Sequence, residues 1–265
     1  MSELLLEITE GVATLTLNCP AKKNAINKSM WQQLPNLLKQ AETQAHVLIL
    51  RGAGNTFCAG ADIAELQAHI TDLIWMRENH LHVQNAGRAL QNLSIPTIAL
   101  LQGAVYGGGL GLACACDFRY AQNDCQFALT PAKLGLSYSL TDTARIVDLV
   151  GAARTKELLL TAKPWPAYQA LTYGLVHEVH APNTLLPAVK ALYETLLANA
   201  SSAMAAIKAT LIDIATGQRS ESAESCARFD AGFTGADFAE GAAAFLEKRV
   251  ARFGVISNKL VENPH

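Results

Sequence analysis

Residues 102–112 read QGAVYGGGLGL, and residues 57–62 read FCAGAD. Each follows an apolar run of β type, Thr97–Leu101 and Val47–Leu50, and each leads into helix-compatible sequence. A strand, a glycine turn and a helix leave backbone N–H groups pointing outward. Glycine lets the main chain approach a ligand closely, and a helix start favours negative charge. Two such N–H groups aimed at one oxygen make an oxyanion hole, which stabilises an enolate or a tetrahedral intermediate. A dinucleotide-binding turn at Gly52-Ala53-Gly54 is the rival, but Phe57 stands where its third glycine belongs.

Composition sets the outer limits. The 265 residues are 50% apolar and 17% charged, enough for one large domain, or a domain with an extension, around a large core. A net charge of −2, with no basic run, excludes a nucleic-acid or anionic-membrane surface. The six cysteines (19, 58, 114, 116, 125 and 226) contain no pair spaced as zinc ligands and suggest no disulfide framework. Spread thiols and an acidic N-terminal segment without signal-peptide character predict a cytoplasmic protein with no metal. Gln91–Cys116 carries no charge and is long enough to span a bilayer, but Pro96, Gln102 and three glycines divide it into strand, turn and helix.

Periodicity predicts an α/β chain. Leu4–Asn18 alternates about Glu10-Gly11 like a hairpin, and Lys28–Ala45 and Ile63–Leu93 read helical. Strands are expected near 47–51, 97–103, 118–122 and 126–129. From about Pro187 to Phe253 the pattern is helical and alanine-rich, and no linker separates it from the rest.

In these residues the sequence resembles the enoyl-CoA hydratase/isomerase (crotonase) superfamily, nearly end to end. LNCPAKKNAIN (17–27) is similar to its coenzyme A loop, LILRGAGNTFCAGADI (48–63) to its first oxyanion segment and residues 95–121 to its second. Residues 151–179 and 240–253 resemble its later helices. The resemblance implies a spiral of ββα units over 1–190 and a C-terminal helical oligomerisation region over 191–265, packed as one folding unit. It also implies a homotrimer or a hexamer made of two trimers. The implied substrate is an acyl-CoA, with coenzyme A as part of it and no tightly bound cofactor. By the same resemblance Ala61 and Gly108 would be the oxyanion N–H donors. Lys22, Lys23, Ala25, Ala59 and Ile63 would touch the coenzyme, and Phe245 and Lys248 would reach the nucleotide of an adjacent subunit. Asp62 belongs to the same loop and is read as holding it.

One departure bears on mechanism. The family's hydratases carry one glutamate two residues past the triple glycine and another four past the next strand's phenylalanine. Here those positions are Gly111 and, counted from Phe127, Pro131. Neither can activate water or deliver a proton. Tyr138, Ser139 and Asp142 face the usual acyl site and are the candidate substitutes, although Ser139–Asp142 also reads as a helix capping box. His80 and His82, on the preceding helical stretch, and Cys58 are weaker candidates. Three functions stay open: an enolate-forming hydratase/isomerase-like enzyme with unorthodox acid–base groups, a CoA-thioester decarboxylase or hydrolase, and a non-catalytic acyl-CoA-binding subunit.

Overall fold

Leu4–Thr9 (β1) and Val12–Leu17 (β2) form the expected hairpin, turning through Glu10 (φ 50°) and Gly11 (φ 80°). Two successive positive φ angles give the turn whose twist matches the strands. The computed structural model describes residues 2–254. After the hairpin come a helix, Lys28–Gln44 (α1), and strand Val47–Gly52 (β3). Asn27 caps α1, accepting from Met30 N while its amide donates to the Glu3 carboxylate.

Three consecutive β-β-helix units follow. β3 leads to the segment at Cys58 and then to helices Ile63–Ala68 (α2) and Leu73–Gln91 (α3). Thr97–Leu101 (β4) and Ala104–Tyr106 (β5) lead to Gly108–Ala115 (α4). Phe118–Gln122 (β6) and Gln126–Ala128 (β7) lead to Leu140–Thr161 (α5), which bends at Gly151 (φ 76°). Trp165–Pro166 (β8), Ala167–Thr172 (α6) and Glu178–His180 (β9) complete the core. The main sheet runs β1-β2-β3-β4-β6-β9, parallel beyond the hairpin, and the smaller sheet runs β5-β7-β8. Cys58 joins the smaller sheet by a bridge to Val105, so every unit places one strand in each sheet.

β3 and β4 are apolar without alternation because both faces of the main sheet are covered. Leu48, Leu50, Ala99 and Leu101 pack in the core that includes Met30, Trp31, Leu34 and Leu38 of α1 and Leu90 of α3. Val47, Ile49, Ile98 and Leu100 face the other way, onto Leu185, Val189 and Leu196 of Pro182–Leu197 (α7). Burying each such side chain contributes roughly 1.5–3 kcal/mol. α7 therefore belongs to the core, and the line between 190 and 191 falls inside it.

Two helical expectations are corrected. Ile63–Leu93 is two helices, because Asp72 caps α3 by accepting from Trp75 N, and the chain turns between them. The C-terminal helices begin at Pro182 rather than Pro187, with proline at the first helical position where it is tolerated. They continue as Ser201–Ala215 (α8), Ala223–Thr234 (α9) and Ala236–Glu247 (α10), and end before Phe253 at Lys248 (φ 53°). Among the described residues no single helix is long and apolar enough to cross a membrane.

Lys208 of α8 ties this region to the core. Its ammonium donates to the Ile95 carbonyl at 2.9 Å and to Asp117 at 2.5 Å. Asp117 also accepts from the backbone N–H and hydroxyl of Thr97. Lys208→Met is expected to cost about 2–3 kcal/mol, since it leaves a half-buried carboxylate without its cation. Chemical denaturation followed by circular dichroism checks this; a loss below about 0.5 kcal/mol refutes it.

Candidate active site

The two glycine-rich loops touch. A Cβ on Gly60 would lie 3.2 Å from the Tyr106 carbonyl oxygen and 3.7 Å from Gly107 Cα; one on Gly107 would lie 3.6 Å from Gly60 Cα. Both residues have positive φ (102° and 50°), which only glycine adopts without strain. Ala61 and Gly108 follow them directly. Ile26 N donates to Gly60 O, and Asp62 N donates to Ile26 O, making a parallel bridge centred on Ala61. Such a bridge turns the central residue's own N–H and C=O away from its partner. Gly108 opens α4, where a helix leaves its N–H groups without internal acceptors. Among the described residues no hydrogen bond engages the N–H of Ala61 or of Gly108.

This corner is backed closely. A Cβ on Gly108 would lie 2.9 Å from the Trp31 ring, and one on Gly109 would lie 2.5 Å from Cys58 Cβ. Cys58 is fully buried, and burial pushes its thiol up to about 12. It packs against Gly109, and its thiol stays protonated. His80 is exposed, and His82 pairs with Gln32 of α1 at the surface.

The coenzyme A loop is stitched to the first glycine loop. Asn24, fully buried with φ 55°, donates to Ala53 O at 2.9 Å and Thr56 O at 2.6 Å and accepts from Cys19 N. Ala59 N donates to Lys23 O, so the Ala59 N–H is engaged inside the protein. Lys23 and Ala25 lie in the turns of this loop, and Ile63, half exposed, begins α2. Asp62 caps α2 by accepting from Glu65 N, and the exposed Lys22 ammonium meets it at 2.6 Å. The hydrogen bond from Lys22 holds the Asp62 carboxyl below the usual carboxylate range. Phe245 and Lys248 sit far along the chain, on α10 and its cap. There Phe245 is 83% exposed beside an apolar groove of about 980 Å³ that Phe229, Phe233 and Phe238 also line.

Tyr138, Ser139 and Asp142 come together over α4. The Tyr138 hydroxyl donates to Gly107 O at 3.1 Å. Burial first, then nearby Asp142, pushes this phenol well above its usual range, so it stays protonated. Ser139 caps α5 by accepting from Asp142 N, but the capping box is only half formed. The Asp142 carboxylate does not turn back to the backbone. One oxygen accepts from the Ser139 hydroxyl at 2.7 Å and the other from Arg145 Nη1 at 2.6 Å. Arg145, itself buried, donates through Nε to Gln91 of α3. A cap alone therefore does not account for Asp142. Arg145 and Gln91 escaped the sequence reading, although a carboxylate and a guanidinium three apart on a helix is a readable pair.

The chain matches the sequence profile of enoyl-CoA hydratase/isomerase over residues 7–255. It belongs to the enoyl-CoA hydratase/isomerase family. Crotonyl-CoA hydratase of Syntrophomonas wolfei subsp. wolfei is 34% identical over 94% of this chain and 97% of its own. Short-chain-enoyl-CoA hydratase of Clostridium acetobutylicum is 32% identical over 94% and 96%. A solved enoyl-CoA hydratase/isomerase family protein from Hyphomonas neptunium superposes with a TM-score of 0.92 at 32% identity, covering 96% of this chain and 98% of the other. An enoyl-CoA hydratase/carnithine racemase from Magnetospirillum magneticum gives 0.91 at 30%, covering 96% of each. The fold is thus the crotonase fold, with the helical C-terminus of this enoyl-CoA hydratase/isomerase family. In this member Gly111 lies buried inside α4, and Pro131 opens a short 3₁₀ turn, Pro131–Leu134.

Proposed function

We propose that the protein carries out hydratase/isomerase chemistry on an acyl-CoA thioester, passing through an enolate whose oxygen is held by the N–H groups of Ala61 and Gly108. The contact between Gly60 and Gly107 carries this reading, because the next residue on each side has an N–H that no acceptor among the described residues uses. As electrons shift onto the thioester oxygen, both donors gain strength from the charge that develops there. Each is typically worth roughly 10²–10³ in rate. Lys22 and the loop to Ile63 hold the coenzyme. The exposed phenylalanines of α9 and α10 support a homotrimer or a pair of trimers, in which Phe245 and Lys248 meet a neighbour's nucleotide. Free thiols fit a cytoplasmic location.

A second reading is favoured by Gly111 and Pro131. Loss of carboxylate generates the enolate without any base, so a decarboxylase would tolerate both residues. Enoyl-, malonyl-type and aryl-CoA thioesters, assayed for hydration, double-bond migration, CO₂ release and free thiol, separate the two. Release of CO₂ or thiol with neither hydration nor migration selects the second reading; binding without any turnover leaves only a carrier.

Lys22→Met tests the coenzyme site. Lys22 is exposed but the Asp62 carboxylate it pairs with is buried, so some stability should be lost with the pair while the fold holds. Loss of a phosphate contact should raise KM about threefold to tenfold at unchanged kcat. An unchanged KM removes Lys22 from the site.

A further inference from the structure

We propose that Asp142 of α5 is the proton carrier of this site and takes over the post that a side chain at position 111 would hold. The inference rests on the acyl-CoA reading above. A Cβ on Gly111 would lie 3.5 Å from Asp142 Oδ1, 3.6 Å from its Cγ and 3.2 Å from the Tyr138 hydroxyl. The volume above Gly111 is therefore bordered by the Asp142 carboxylate of α5 and the phenol of Tyr138, just ahead of its cap. A Cβ at 111 would press on the Tyr138 hydroxyl and stand in ordinary contact with Asp142, so a longer side chain would have to displace them. Glycine inside a helix costs roughly 1 kcal/mol relative to alanine, and room for Tyr138 and Asp142 is what that cost secures.

The carboxylate is positioned for such a task. Gly111 N donates to Gly107 O, the same oxygen that accepts from Tyr138, so this pair stands over the first turn of α4, whose opening N–H is Gly108's. Asp142 is 9% exposed and is gripped at both oxygens, by Ser139 at one and Arg145 at the other, with Gln91 fixing Arg145 from behind. Each carboxylate oxygen has two lone pairs, and the recorded bonds use one on each. A group held this firmly loses little freedom when it meets a substrate, which is the condition for efficient transfer.

The step balances simply. The α-carbon's C–H bond breaks and its proton passes to Asp142. The electron pair forms the C–C double bond of the enolate, while the carbonyl π pair moves to the oxygen between Ala61 and Gly108. Return of a proton from Asp142 to the α-carbon reverses the step. In hydration Asp142 takes a proton from the water that attacks the β-carbon and returns it to the α-carbon, which completes the addition. Tyr138 stays a hydrogen-bond donor throughout and is a positioning residue.

The test uses full-length protein and three readouts: binding of butyryl-CoA, the absorbance shift of bound cinnamoyl-CoA as a measure of carbonyl polarisation, and exchange of the butyryl-CoA α-protons in D₂O by NMR. Asp142→Asn keeps the shape: its Oδ1 can still accept from Arg145 and its Nδ2 can donate to the Ser139 hydroxyl, while buried Arg145 loses its counter-charge and stability falls. Binding and the absorbance shift should stay within about threefold of wild type, while exchange falls by about 10²–10⁴. Asp142→Glu should restore part of the exchange. Exchange by Asp142→Asn within about threefold of wild type overturns the proposal, as does a wild type that polarises cinnamoyl-CoA but exchanges nothing. A wild type that neither binds nor polarises either thioester instead overturns the acyl-CoA reading beneath it. Should Asp142→Asn not fold, Ser139→Ala releases one oxygen only. Its exchange kcat should drop about tenfold at constant KM, and unchanged exchange overturns the assignment.

Discussion

Gly52→Ala is expected to cost about 3 kcal/mol or more and to abolish thioester binding, although Gly52 lies at the end of β3 and touches no substrate group. A Cβ there would sit 2.1 Å from Thr56 O, 2.3 Å from Phe57 O and 2.7 Å from the Asn24 amide. The first two are main-chain atoms, and the third belongs to the buried amide that already holds Ala53 O and Thr56 O. No flexible side chain can yield, so the whole turn from Ala53 to Phe57 has to move. Overpacking of a well-filled site costs typically 1–3 kcal/mol, and backbone collisions lie at the upper end. The displaced turn carries Cys58, Gly60 and Ala61 with it, so binding fails together with stability. Gly54→Ala, two residues on, is the internal control. Its nearest neighbour would be Pro20 Cβ at 3.9 Å, and only its φ of 71° opposes a side chain. That strain amounts to about 1–2 kcal/mol. Urea denaturation and butyryl-CoA titration of both variants decide the matter, and equal losses would show that crowding at Gly52 is not the cause.

Gly52 also marks where the sequence stops being legible. The strand-glycine-helix order is written in the residues, as are the Glu10-Gly11 hairpin and the runs in β3 and β4, because each rests on local periodicity or on φ. The purpose of Gly52 is not, since Thr56, Phe57 and Asn24 reach it only through tertiary folding. The same holds for the candidate site. Ala61 and Gly108 could be singled out from motif position, yet the approach of Gly60 to Gly107 exists only in the folded chain. Asp142 shows the limit from the other side. Local pattern gave it a complete explanation as part of a capping box, and that explanation used only residues 139–142. Arg145 is one turn away and was within reach of a helical reading. Gln91 and Gly111 were not, since they come from α3 and α4. A residue whose local role looks satisfied can still face a site, and only contacts from distant elements reveal it.

Ala61→Pro carries the other large effect, on rate rather than stability. Among the described residues no internal bond uses the Ala61 N–H, so removing it forfeits no hydrogen bond of the folded protein. Ala61 already bears a Cβ and its φ is not among the positive ones, although a proline would restrict the preceding Gly60, whose φ is 102°. Position 61 is therefore a cleaner probe than 108, where any Cβ would press within 2.9 Å of the Trp31 ring. If this N–H stabilises oxygen as charge develops, kcat should fall by at least about 10²–10³, and because the proline Cδ takes the place of the amide proton, substrate binding should weaken as well. The denaturation midpoint should shift by less than the equivalent of about 1 kcal/mol, and the absorbance shift of bound cinnamoyl-CoA should shrink, because polarisation of the carbonyl needs both donors. Turnover within about threefold of wild type, in a variant that folds and binds, would mean that the amide at 61 faces no reacting oxygen.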